Sequence, residues 1–197
     1  NENRLRVEKV VSLPFFDDFT DVKTYSDRWQ GYDVLVNSGF PLFPTNYNAL
    51  TFDVLDENGK VYSNGSSNPF IADSLLSHPI RLVDEDGSRL TPADSLYFSF
   101  YYQPQGNGDA PDKNDSLILM FGNVTDTAVI WNHIWSSEGM TLETFMANND
   151  DNYFKQVMIP VTDEKYFEND LIILFYNYGT LPSTAYPNDR ANGDNWN

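Results

Sequence analysis

The sequence predicts an all-β fold: a two-sheet antiparallel β-sandwich of the jelly-roll kind, formed as a single domain by residues 1–197. Residues 95–103 read SLYFSFYYQ, in which apolar side chains recur with the two-residue period of a strand. Residues 116–122 (SLILMFG) and 171–178 (LIILFYNY) are apolar on both faces, which is typical of strands in the middle of a sheet. Turn residues separate many short apolar runs, and almost no stretch has a helical period. We therefore expect eight to eleven strands in two packed layers.

The other elements follow the same pattern along the chain. Residues 1–11 predict an edge strand, and residues 49–56 predict a strand with Leu50, Phe52 and Val54 on one face. Further strands are expected near residues 128–135 and 153–161, and short helices at 141–147 and 163–167. The runs 56–60 and 84–87 contain Asn-Gly and Asp-Gly and predict hairpin turns, because these residues tolerate a positive φ. Neither run has the residue spacing of an EF-hand calcium loop.

The charge balance limits the partners. Twelve Lys and Arg residues stand against twenty-nine Asp and Glu residues, which gives a formal net charge of −17. Such a surface repels nucleic-acid phosphates and anionic lipids and favours bound cations. The chain has no cysteine, so disulfides, zinc–thiolate sites and thiol nucleophiles are excluded. No segment has the roughly twenty apolar residues that span a bilayer, so we expect no direct membrane insertion.

Four segments together resemble one family of modules. The segments are PFFDDF at 14–19 with Trp29 after it, ALTFDVLDENG at 49–59, YYQPQGNGDAPDKNDSLILMFG at 101–122, and NGDNWN at 192–197. They are similar to jelly-roll modules, concanavalin-like or MAM-like, of secreted and surface proteins of Bacteroidota. The resemblance implies an exported protein at the cell surface, in the outer envelope or outside the cell.

The same resemblance implies that the first and last strands lie side by side. It also implies a final strand of the Ile-Asp-x-Val type after the tail Trp196, and the sequence stops just before that strand. We therefore expect a sandwich that either lacks its final strand or receives an edge strand from a partner.

Three Asp-Ser-Leu tripeptides begin at Asp73, Asp94 and Asp115, twenty-one residues apart. We interpret them as starts of strands, where polar residues give way to an apolar run, rather than as a structural repeat. Together with residues 126–128 (Asp-Thr-Ala) they also resemble the short acceptor pattern of O-glycosylation in Bacteroidota.

A calcium site is the sharpest hypothesis about a cofactor, because Ca²⁺ takes six to eight oxygen ligands. The resemblance brings the two ends of the chain together and so implies one ligand set. A second candidate set lies in one acidic loop. The alternative for both is that Asp and Asn side chains only cap turns. The first set is Asp17, Asp18, Asn192 and Asp194, and the second is Asn107, Asp109, Asp112, Asn114 and Asp115.

Aromatic side chains are the second hypothesis, since flat apolar rings stack on sugars in many glycan sites. The candidates are Trp29, Trp131 and Trp135, with Trp196, Tyr32 and Tyr47 as further members. On a regular strand Trp131 and Trp135, four residues apart, share a face. The alternative is that these tryptophans are buried between the sheets.

Catalysis has the least support from the sequence. Glucanases of this fold carry carboxylates at alternate positions of one strand, and no Glu-x-Asp-x-x-Glu run is present. The two histidines, His78 and His133, belong to no zinc or nucleophile motif. We therefore expect a non-catalytic recognition or adhesion module that binds a glycan or a surface protein. The alternatives are a structural subunit of a secreted or envelope assembly that docks a partner strand, and a carbohydrate-active enzyme.

Overall fold

A computed structural model describes residues 9–21, 23, 25–56, 58–125, 128–181 and 194–197. It is 41% strand and 10% helix, which confirms the all-β prediction. Each helix has four or six residues, and none in the described part of the chain is long and apolar enough to cross a membrane. The elements are β1 (Val11–Ser12), α1 (Tyr25–Arg28), β2 (Trp29–Tyr32), β3 (Leu35–Asn37), β4 (Ala49–Thr51), β5 (Phe70–Ser77), β6 (Ile80–Arg81), β7 (Tyr97–Tyr102), β8 (Ser116–Val124), β9 (Val129–Glu138), α2 (Leu142–Ala147), β10 (Lys155–Pro160), α3 (Lys165–Glu168) and β11 (Leu171–Gly179).

The larger layer is a seven-stranded sheet around β11. One edge of β11 pairs antiparallel with β8, and β9 pairs with the far edge of β8. The other edge of β11 pairs with β5 and, through Leu171 and Ile80, with β6. β5 and β6 thus lie end to end, separated at His78 and Pro79, where proline has no backbone N–H for the ladder. The apolar strands β8 and β11 are central, as predicted.

The second layer consists of two antiparallel strand pairs, β7 with β10 and β3 with β4. Residues 194–197 lie between them. Trp196 forms an antiparallel bridge with Phe52, just after β4, and another with Pro104, just after β7. The C-terminal residues therefore join the two pairs into one layer.

The core lies between the two layers. Phe98 and Phe100 of β7 point inward, and the ring centroid of Phe98 lies 5.7 Å from that of Phe121. The ring of Phe100 lies 4.9 Å from Phe175 and 5.1 Å from Trp135. These edge-to-face contacts join β7 to strands of the larger sheet, which is the sandwich packing that the alternating pattern predicted. The jelly-roll order of the strands remains a prediction.

The turns and helices follow their local sequence signals. Gly59 and Gly87 have positive φ values of 69° and 82°, and each closes a hairpin turn at its predicted place. The Thr141 hydroxyl accepts a hydrogen bond from the backbone N–H of Thr144 at the start of α2. The short helices α2 and α3 lie within a few residues of their predicted positions.

The Asp-Ser-Leu interpretation holds at Asp94 and Asp115, which lie just before β7 and β8, and is wrong at Asp73. Asp115 directly precedes β8, as predicted. Asp94 lies in a 3₁₀ turn, where its carboxylate accepts hydrogen bonds from Thr91. Asp73 lies inside β5. Its carboxylate accepts hydrogen bonds there from the Tyr62 hydroxyl and from the backbone N–H of Val54. Residues 126–127, and residues 1–8 of the predicted first strand, lie outside the described residues.

Candidate functional site

An open groove of about 560 Å³ runs along the second layer between β4 and β7. Its rims are residues 49–50 on one side and residues 97–102 on the other. Leu75, Leu117 and Phe175 of the larger sheet form its floor, so the groove reaches down to the core. Phe15, Phe19 and Trp29 also line the groove at one end, and Asn197 lines it at the other.

The β7 rim is a strand edge. β10 pairs with one edge of β7, and on the other edge Gln103 and Asn197 exchange two backbone hydrogen bonds of 2.7 and 2.8 Å. Backbone groups in an antiparallel strand alternate between its two edges. The N–H and C=O groups of Ser99 and Tyr101 therefore point toward the groove, on the same edge as those of Gln103.

The β4 rim is a strand edge as well. β3 pairs with one side of β4, and on the other side Phe52 exchanges backbone hydrogen bonds of 2.9 and 3.1 Å with Trp196. By the same alternation, the backbone groups of Leu50 face the groove. Trp196 pairs with Phe52 on one side and with Pro104 on the other. Each rim therefore lies one interstrand spacing from the line of Trp196, and the two rims are about 10 Å apart.

The tryptophan at the end of the groove is buried. Trp29 is 5% exposed, and its indole N–H donates to a carboxylate oxygen of Asp17 at 2.9 Å. The ring of Phe15 packs edge-on against it at 5.3 Å. Asp17 also lies 3.9 Å from the Arg28 guanidinium, and Asp18 accepts a hydrogen bond from the backbone N–H of Thr20. Both carboxylates thus have partners nearby in the sequence, between Phe19 and Trp29.

The prediction that Trp131 and Trp135 share a face is wrong. Register shifts by one residue between Leu119 and Met120 of β8, so β9 carries a bulge between its two tryptophans. Trp135 faces the core, where its ring lies 4.8 Å from that of Tyr102. Trp131 lies opposite Gly122 on the outer face and is 38% exposed. The three candidate tryptophans do not form one platform.

Three carboxylates meet at one hydroxyl near the start of β8. The Thr180 hydroxyl oxygen lies 3.2 Å from a carboxylate oxygen of Asp112, 3.3 Å from one of Asp115 and 3.2 Å from one of Asp194. We call these four residues the Asp–Thr cluster. Asp115 is only 1% exposed, and its second carboxylate oxygen has no hydrogen-bond partner within the described chain. The cluster combines members of the two predicted calcium sets, and Thr180 was not anticipated from the sequence.

Burial dominates the electrostatics of this cluster. It raises the pKa of the Asp194 carboxyl to about 8, with the neighbouring Asp115 carboxyl as a second cause. Burial also raises the pKa of Asp115. Two buried carboxyls in contact do not ionise together readily, so at neutral pH the pair retains a proton or needs a cation.

The other predicted calcium ligands lie apart from this contact or outside the described residues. The backbone of Asp109 forms an isolated parallel β-bridge with that of Asp194. The side chain of Asp109 is exposed, and its carboxylate accepts a hydrogen bond from the backbone N–H of Ala110. Asn107 donates its side-chain amide to the carbonyl of Gly39. Asn192 lies outside the described residues. Over the residues that the structure describes, no group of three or more His, Cys, Asp or Glu side chains is arranged so that it could hold a metal ion.

Gly139 holds the acidic loop against the end of β9, and this contact gives a testable prediction. A Cβ atom on Gly139 would lie 1.8 Å from the carbonyl oxygen of Asp112, and the N–H of Gly139 donates to the carbonyl of Asp115. We expect Gly139→Ala to lower the free energy of unfolding by about 2 to 3 kcal/mol, measured by urea unfolding, since the loop must move. Gly39→Ala is the control, because its added Cβ would meet only one atom, at 3.9 Å. Equal stability of both variants would contradict this packing.

Comparison with known proteins adds no assignment. The chain matches no family model and no curated protein. Any functional conclusion must therefore rest on the groove and on the Asp–Thr cluster.

Proposed function

We propose that this domain is a non-catalytic recognition module, exported to the cell surface, whose ligand is an extended segment of a partner polypeptide bound in the groove. The observation that carries the proposal is that both rims are strand edges. Backbone donors and acceptors at a strand edge are the natural partners of another strand, and strand addition is a recurring mode of peptide recognition. The residue pattern that resembles surface modules of Bacteroidota supports the exported location.

The groove suits a polypeptide better than a sugar. A strand placed between the rims would satisfy the backbone groups of Leu50, Ser99 and Tyr101, and its side chains would cover the apolar floor. A glycan platform needs flat, exposed rings, whereas Trp29 and Trp135 have their rings in the core. The net charge of −17 favours a segment that carries Lys or Arg outside the groove.

The test is binding of a synthetic peptide, acetyl-Lys-Thr-Val-Thr-Val-Thr-Val-Lys-amide, measured by isothermal titration calorimetry. We expect saturable binding of one peptide per chain and a change in Trp29 fluorescence, because Trp29 lines the groove. The control is the same peptide with each threonine N-methylated, which removes the backbone donors that would face Ser99 and Tyr101 and keeps the side chains. Equal binding of both peptides would refute recognition by strand addition. A glycan-array signal that Trp131→Ala removes would favour the sugar hypothesis instead.

The second candidate, a structural subunit that docks a partner strand, uses the same groove. The two candidates predict different rates of peptide dissociation, because a recognition module releases its ligand and a structural subunit retains its neighbour's strand. Competition of a labelled peptide by excess unlabelled peptide separates them. Replacement within minutes supports recognition, and retention over days supports assembly.

We also propose that Ca²⁺ binds at the Asp–Thr cluster, where the unpartnered oxygen of Asp115 supports it. Backbone carbonyls and water would have to complete the coordination. We expect Ca²⁺ in millimolar excess over EGTA to raise the melting temperature by several degrees and to give a calorimetric binding heat. Asp115→Asn should lose both effects, and Asp18→Asn, from the other predicted set, should keep them. No binding heat and no shift in melting temperature for the wild-type chain would refute calcium binding.

A further inference from the structure

We infer that the outer face of the larger sheet is an interface at which a second copy of this chain packs, so that two chains form a weak dimer. The outer face is the side of β5, β8, β9 and β11 that points away from the second layer. This inference goes beyond the proposed function. The groove lies in the second layer, so it stays open in both chains when two larger sheets meet face to face.

The strand register defines which residues form the outer face. Leu75, Leu119 and Phe175 are paired across three strands and belong to the core, so their neighbours along each strand point outward. In β11 and β8 the outward residues are the even-numbered ones of 172–178 and 116–122. Residues 71, 74 and 76 of β5 and residues 131, 133, 136 and 138 of β9 are paired with them and complete the face.

The outer face is apolar although it is not part of the core. Its central row consists of Leu76, Leu174 and Met120, and the next row contains Tyr176 and Ile118. None of these five side chains belongs to the core cluster or packs against it. An antiparallel sheet with one face in water normally carries polar side chains on that face. The apolar residues on both sides of β8 and β11 therefore indicate a second packing partner.

No helix of the described chain covers this face. Tyr25 of α1, Phe145 of α2 and Phe167 of α3 all belong to the core cluster, so the three helices pack on the other side of the sheet. Ile71 and Trp131, in the two outermost strands of the face, are 53% and 38% exposed. Contiguous apolar patches of several hundred Å² are rare on monomeric proteins and usually mark interaction sites.

The charge distribution favours a second copy as the partner. The chain has 29 Asp and Glu residues, but Glu138, in the last row, is the one carboxylate among the outward residues defined above. A basic partner would be attracted to the acidic surface elsewhere, and this face offers it no charge to pair with. Two copies that meet here bring no like charges together at the centre. A two-fold axis also makes an uncharged sheet face complementary to itself.

The size of the face fits a weak dimer. Four strands spaced about 4.8 Å apart and seven residues that each rise about 3.4 Å give roughly 450 Å² of flat area per chain. With the relief of the side chains, two copies bury about 1,000 Å² in total, which is typical of weak and transient interfaces. We therefore expect a dissociation constant of roughly 10 to 100 µM.

The first test is sedimentation velocity of the wild-type chain from about 5 to about 500 µM, at low and at high NaCl concentration. We expect a monomer at the low end and mostly dimer at the high end. Added salt should lower the dissociation constant several-fold, because it screens the repulsion between two chains of net charge −17. An interface held by salt bridges would respond in the opposite way.

The second test places a charge at the centre of the face. We expect Met120→Glu to raise the dissociation constant at least tenfold, because the interface would then bury two like charges. Met158→Glu is the matched control, since Met158 is 59% exposed on β10 of the second layer. It adds the same charge to the chain and should change the constant less than twofold. Met120→Glu should leave peptide binding in the groove unchanged, so this test is independent of the proposed function.

The third test needs no variant and decides the question if Met120→Glu does not fold. The chain has four methionines, and their methyl groups can be labelled with carbon-13 and followed by NMR during dilution. We expect the Met120 signal to shift with protein concentration and the Met158 signal to stay fixed.

A monomer at about 500 µM and high salt overturns the inference and leaves the face to a different protein. A dimer that both glutamate variants weaken equally, or one that shifts the Met158 signal alone, overturns the position of the interface.

Discussion

Replacing Trp196 by alanine is expected to lower the free energy of unfolding by about 4 kcal/mol, the largest effect of any single substitution considered for this chain. Its side chain is fully buried, and its backbone bridges Phe52 and Pro104. Alanine retains the backbone hydrogen bonds but leaves a cavity between the two layers. Equilibrium urea unfolding, followed by circular dichroism, measures the difference.

Two variants control this result. Within the described chain the indole N–H of Trp196 has no hydrogen-bond partner, so Trp196→Phe removes an unsatisfied donor together with part of the ring. It should therefore cost less than half as much as alanine. Trp131→Ala, on the outer face, should cost roughly 1 kcal/mol, because its ring is 38% exposed. Similar losses for Trp196→Ala and Trp131→Ala would contradict the position of Trp196 in the core.

The second large effect is on pH dependence: stability is expected to fall as the pH rises from about 4 to about 8. Burial raises the pKa of the Asp73 carboxyl to about 8, although hydrogen bonds from Tyr62 and from the backbone N–H of Val54 lower it in part. A carboxyl whose folded pKa is raised favours folding fully below its unfolded pKa near 4, and that contribution is lost as the pH passes the folded pKa. Asp194, whose pKa is also about 8, acts in the same direction.

The measurement is urea unfolding at pH 5 and at pH 8, with EGTA present so that no cation bound at Asp194 offsets the change. We expect a loss of several kcal/mol between the two pH values for the wild-type chain. Asp73→Asn should reduce that loss by about half, because Asp194 still titrates. A wild-type stability that rises from pH 5 to pH 8 would show that Asp73 is ionised throughout.

The local parts of this fold could be read from the sequence. The alternation around Phe98 and Phe100 specifies a strand with one buried face, and Gly59 specifies a turn through its backbone freedom. Thr141 marks the start of a helix for a similarly local reason. Each of these signals acts over a few residues, so no knowledge of distant pairing is required.

The candidate site could be predicted only in pieces. Asp115 and Asp194 were each recognised as potential ligands, but their contact depends on which strands end near Thr180. The faces of Trp131 and Trp135 depend on a bulge that only cross-strand register reveals. The groove was anticipated only as an open edge, since its position follows from the pairing of Trp196 with two strands that lie far apart in the sequence.

Under the strand-binding function proposed above, the bridging role of Trp196 bears on the kinetics of peptide binding. With both flanks already ordered, an arriving segment gives up its own conformational entropy while the domain gives up little. Association should consequently be limited by straightening of the incoming peptide, and stiffening that peptide with β-branched residues should accelerate it.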